Sequence, residues 1–175
     1  MTAPKALEHY AMAPMIGEIQ REAAITKRLL ERVPEDKLGW KPHAKSMSLG
    51  QLAMHVAMIP GAISKIAALD EFEVNPANFG PPSPKNNAEL LAALDTAVHA
   101  AQEYLAGVSE SAAATNWSAR FNGKEIMSMP RAVMLRSLML NHWYHHRGQL
   151  SVYLRLIEVP VPSIYGPSAD ENPFI

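Results

Sequence analysis

The chain of 175 residues and 19.2 kDa has the length of one domain, and at that size about 70% of the unfolded surface is buried, enough for one sizeable core. With 16 Lys and Arg against 17 Asp and Glu, the net charge is -1 and the pI near 6.7, which excludes a general electrostatic attraction to nucleic acid or an anionic membrane. The absence of cysteine excludes disulfides, thiolate metal sites and a cysteine nucleophile, so any metal must rest on His, Asp or Glu.

At the N-terminus, Lys5, Glu8 and Glu18 interrupt any apolar run behind a basic head, so no secretory leader is expected and the cytoplasm is the expected compartment. The 14 prolines exceed the usual share of about 5%, yet they leave long gaps, and each gap carries an apolar stripe at helical spacing. The first predicted helix runs from about Pro14 to Val33, its stripe formed by Met12, Ile16, Ile19, Ala23, Leu30 and Val33, with Pro34 at its end. The second starts at Ser48, where Ser-Leu-Gly-Gln reads as a capping box, and continues to about Leu69 with Leu52, Val56, Ile59, Ile63 and Ile66 as its stripe. Pro60 is predicted to kink it. The run from Ser46 to Ser64 has no formal charge, but its serines, Gly50, Gly61, Gln51, His55 and Pro60 predict a buried helix rather than a membrane span.

Residues 70–84 are too rich in Pro and Asn for regular structure and are predicted to form a long loop. The third helix spans about Asn87 to Ala106, with Leu91, Leu94, Val98, Ala101 and Leu105 inward and Gly107 as its C-cap. Residues 116–127 alternate around Asn122-Gly123 and predict a hairpin. The fourth helix runs from about Ser128 to Ile157, with Pro130 in its first turn and Pro160 beyond its end. Four long helices predict an all-α four-helix bundle, a single domain over residues 1–175.

Three of the seven histidines lie between 141 and 149. The stripe of the fourth helix reads Leu135, Leu138, His142, His146, Gln149 and Tyr153, which puts His142 and His146 one turn apart on the inward face. Such a pair is about 5–6 Å apart, close enough to share a cation. His55 borders the inward stripe of the second helix and is a third candidate ligand. Burying three unpartnered imidazoles costs several kcal/mol, and a divalent metal would satisfy one nitrogen on each. The alternative is three core histidines bonded to backbone. Trp143 stands where a zincin would place its general-base glutamate, so metalloprotease chemistry is not expected. Gln149 is expected to support the site or to be a core amide, and Arg147, about 140° around the helix from His142, to pair with another helix. His9, His43, His99 and His145 are expected on the surface or in loops. Tyr153, Trp40, Trp117 and Trp143 are expected to pack.

His142-Trp143-Tyr144-His145-His146-Arg147-Gly148-Gln149-Leu150, followed by Tyr153-Leu154-Arg155, resembles the last-helix signature of the DinB-like (damage-inducible) family of metal-binding four-helix proteins. Ser46-Met-Ser-Leu-Gly-Gln-Leu-Ala-Met-His55 resembles that family's second-helix motif, and Leu38-Gly39-Trp40-Lys41-Pro42 the turn before it. The resemblance implies an up-down-down-up bundle, often a homodimer, holding a divalent metal such as nickel or zinc on three histidines, which here are His55, His142 and His146. Some members of the wider superfamily resemble thiol-dependent transferases or isomerases. The expectation is a metal-dependent enzyme, a thiol S-transferase or hydrolase, in which a metal-activated thiol or water meets a small electrophile near the 70–84 loop. The alternatives are a non-catalytic metal-binding stress-response or structural protein and a metal-free helical interaction domain.

Overall fold

A computed structural model gives the fold and describes residues 12–78 and 80–174; the expectations resting on Lys5, Glu8 and His9 lie outside them. The chain is mostly helical, with one small sheet. Helix α1 (Met12–Leu30) ends three residues before the predicted Val33, and α2 (Leu49–Ala67) starts as predicted. The capping box is complete: Ser48 Oγ accepts from the Gln51 amide at 3.2 Å, and Gln51 Oε1 accepts from the Ser48 amide at 3.0 Å. Pro60 lies inside α2, which continues to Ala67, and the Ser64 hydroxyl donates to the Pro60 carbonyl.

The 70–84 segment is more regular than its composition predicts. Strand β1 (Glu71–Glu73) pairs in parallel with β2 (Asn116–Phe121), which pairs antiparallel with β3 (Lys124–Pro130). A local reading cannot find β1, because its partner lies over forty residues downstream. The β2–β3 turn is the predicted Asn122-Gly123, with φ of 50° and 72°, the pair of positive values that a type I′ hairpin turn needs.

Helix α3 (Asn87–Gly107) is capped by the Asn86 side chain and buries Leu90, Leu94, Ala97, Ala101 and Leu105. Leu91 and Val98, expected inward, are only partly buried. A short helix α4 (Glu110–Ala114) precedes β2.

The last helical segment departs most from its prediction. Residues 128–130 belong to β3, so the helix begins at Arg131: α5 (Arg131–Met134), a π-helical stretch Leu135–Asn141, then α6 (His142–Leu156). A π turn holds about one residue more than an α turn, so the stripe entering at Leu135 leaves one position late. The buried face of α6 is therefore Trp143, Arg147, Leu150 and Leu154, not His142, His146 and Gln149.

Helix α1 packs on α3, α3 on α2, and α2 on α6 and the π segment. The closest approach is at Gly61 of α2, where an added Cβ would stand 2.9 Å from the Ala97 Cα. Trp117 and Trp143 are fully buried, while Trp40 lies edge-on to Tyr153 at 5.7 Å. Among the described residues, no helix is long and apolar enough to cross a membrane.

Candidate metal centre

The displaced register gives His142 and His146 their surroundings. One position off the core stripe, they lie half-buried against the side of α2 that carries His55, itself half-buried. The three rings form a triangle with centroid separations of 5.1 Å (His55–His142), 4.5 Å (His55–His146) and 4.5 Å (His142–His146). One ring nitrogen from each lies within 4.8 Å of the others. The Nε2 atoms of His55 and His142 are 3.4 Å apart. Two ligands of a tetrahedral ion with metal–nitrogen bonds of 2.0–2.1 Å stand about 3.3 Å apart, so this edge of the triangle already has the spacing of a coordination polyhedron.

Two of the rings are oriented from behind. His146 Nδ1 donates to Gln149 Oε1 at 2.7 Å, which leaves its Nε2 for the triangle, and the His142 ring donates to the Leu138 backbone carbonyl. Such hydrogen bonds select the tautomer a metal ligand needs. Gln149 is thus an exposed acceptor beside the site rather than the inward amide its stripe predicted.

Burial lowers the pKa of all three histidines. His55 falls to about 4, through burial and then the neighbouring His146 and His142. His142 and His146 are lowered by the same burial, partly offset by their hydrogen bonds to Leu138 and Gln149. At neutral pH all three rings are uncharged, the form that coordinates a metal. The donor set therefore fits a borderline divalent ion: three neutral imidazoles converging, with one side toward solvent.

Other predicted residues find different places. His145 is exposed, but its ring lies 4.9 Å from that of His146, a contact that spacing did not reveal. Tyr153 packs on Trp40 and donates to the Met47 carbonyl at 3.5 Å. Arg147 pairs with another helix as expected: it contacts Glu22 of α1 at 2.6 Å and donates to Thr26 Oγ1 at 3.2 Å and to the Tyr165 hydroxyl. Its near-complete burial was not expected. The 70–84 segment leaves α2 about 18 Å along the helix from His55, and Pro84 returns to pack against Gly50.

Comparison with known proteins agrees with this architecture. The sequence pattern of the DinB family matches residues 9–172. The uncharacterised protein YrdA of Bacillus subtilis strain 168 is 27% identical over 154 residues, spanning 86% of this chain and 85% of its own. Among solved structures, a DinB-like protein from Bacillus cereus ATCC 10987 superposes with a TM-score of 0.64 at 24% identity, covering 83% of this chain and 92% of the other. YjoA, a DinB-like protein from Bacillus subtilis, gives 0.63 at 18% identity, covering 84% and 96%. At these identities the two structures bear on the fold alone.

Proposed function

The chain belongs to the DinB family, and on that premise we propose that it binds one divalent metal ion, nickel or zinc, through His55, His142 and His146. The observation that carries the reading is the convergence of three neutral imidazoles from two helices, two of them held from behind by Gln149 and Leu138. In this reading residues 1–175 are one up-down-down-up four-helix bundle, acting in the cytoplasm as a homodimer, with neither nucleic acid nor membrane as partner.

Three protein ligands leave coordination positions open toward solvent, the arrangement of catalytic rather than closed structural sites. A metal held there would lower the pKa of a bound thiol or water. The function favoured is therefore thiol S-transfer, isomerisation or hydrolysis on a small electrophile, with the histidines fixing the centre. The half-exposure of all three rings supports this over a purely structural tie between α2 and α6. In that second reading the protein is a non-catalytic metal-binding stress-response protein.

Elemental analysis of protein purified without a polyhistidine tag, beside His55→Ala, His142→Ala and His146→Ala, tests the site. About one equivalent of transition metal, lost in each variant, is expected. A wild-type protein that holds no metal and takes up neither nickel nor zinc would overturn the proposal. Thiol transfer by the loaded protein then separates the two readings: no rate above background with any thiol or ester favours the structural one.

A further inference from the structure

The hydrogen bond from His146 Nδ1 to Gln149 Oε1 carries an inference that rests on the metal-site reading and deepens it. Metal-ligating histidines commonly hand their second N–H to a carboxylate, which feeds negative charge into the ligand set and raises its basicity. Here the acceptor is a neutral amide three residues along the same helix, at 2.7 Å. The second acceptor, the Leu138 carbonyl, is neutral as well. Among the described residues, no carboxylate joins the cluster of the three rings, and their side-chain hydrogen-bond partners are one another and Gln149. Three neutral ligands behind neutral acceptors leave the full dipositive charge of a bound ion facing the open side.

We propose that Gln149 is the positioning residue of this centre, fixing His146 with Nε2 toward the ion, and that its neutrality reserves the open coordination positions for an anionic ligand. The ligand class is a small soft or hard anion, such as a thiolate, azide or hydroxide, in preference to a neutral donor. Two substitutions at the exposed position 149 separate the parts of the proposal, because neither disturbs the buried core. Gln149→Leu removes the acceptor. Gln149→Glu keeps the acceptor and adds a negative charge.

The test uses full-length protein titrated with cobalt(II), whose visible bands report coordination, and then the cobalt form titrated with azide. Thermal melts of the metal-free variants check that the fold is unchanged. Gln149→Leu is expected to weaken cobalt binding 10–100-fold, the usual loss for an outer hydrogen-bond partner of a metal ligand. Gln149→Glu is expected to bind cobalt at least as tightly as wild type while losing azide affinity about tenfold or more, since the added carboxylate offsets part of the ion's charge. Unchanged cobalt affinity in Gln149→Leu would overturn the positioning role while leaving the metal site standing. Unchanged azide affinity in Gln149→Glu would overturn the charge argument. A wild-type protein that binds no cobalt, nickel or zinc removes the metal reading itself, an outcome distinct from both.

Discussion

Arg147 and His146 are adjacent in sequence and serve different surroundings. His146 faces α2, while Arg147 is buried against α1, its guanidinium paired with Glu22 and lying 5.2 and 5.1 Å from the ring centres of Tyr144 and Tyr165. Glu22 is itself buried, so removing the arginine strands a carboxylate in the core. Arg147→Ala is expected to lose about 3–5 kcal/mol in urea unfolding, the usual consequence of breaking a buried pair from one side. The pair Glu22→Gln with Arg147→Met should recover much of that loss, since two apolar or neutral groups leave no buried charge. Metal uptake by folded Arg147→Ala should match wild type, because no contact joins the guanidinium to the three rings. The direction of Arg147 was legible from its angle around the helix, and the four-residue spacing of His142 and His146 was enough to place those two rings side by side. The Tyr165 contact was not legible, because it comes from a segment that only the tertiary fold brings back to α1.

At the scale of the elements, local chemistry was legible wherever it is local. The Ser48–Gln51 box, the Asn122-Gly123 turn and the extent of α3 are set by neighbours within a few residues, and the sequence reading placed each of them. What it could not place depends on distant partners or on helix phase. Strand β1 exists because β2 is there to pair with it. The π stretch moves the core face of α6 by one residue, which is why the histidines fell on the predicted core stripe and are in fact half-buried. The contrast between two helical glycines makes packing and propensity separable. In the open interior of α6, a Cβ at Gly148 meets nothing within 4 Å, so Gly148→Ala should stabilise by about 0.5–1 kcal/mol, the helix-propensity difference alone. In α2, a Cβ at Gly61 meets the Ala97 backbone at 2.9 Å, so Gly61→Ala forces α2 and α3 apart. Overpacking of this kind costs about 1–3 kcal/mol, which exceeds the propensity gain. Thermal unfolding of the two variants should therefore shift in opposite directions, and a rise for both would mean that the α2–α3 contact yields without strain.

Across the whole molecule, residues 160–174 tie the first helix to the last. Arg28 of α1 pairs with Glu171, Arg155 of α6 pairs with Asp170, and the two carboxylates also accept the Ser163 amide at 2.8 Å and the Val161 amide at 2.9 Å. The bond from Arg155, then the Val161 amide, lowers the Asp170 pKa; the Ser163 amide, then Arg28, lowers that of Glu171. Both groups are ordinary carboxylates in the unfolded chain. A depressed folded pKa means that the unfolded state binds protons first as acid is added, so these contacts stabilise fully above the ordinary values of 3.8 and 4.5. They are lost as pH falls through the lower folded values. Each pair is solvent-exposed, so the effect is one of local attachment rather than global stability. The Val161 and Ser163 amide resonances should consequently move at acid pH while those of Leu150 and Leu154 in the core stay in place. Asp170→Asn should abolish the acid-dependent step at Val161 and leave the one at Ser163. Were both amides to hold their positions until the core itself unfolds, the carboxylates would not be what fastens this segment, and the partly buried Arg147–Tyr165–Glu22 contact would remain as its anchor.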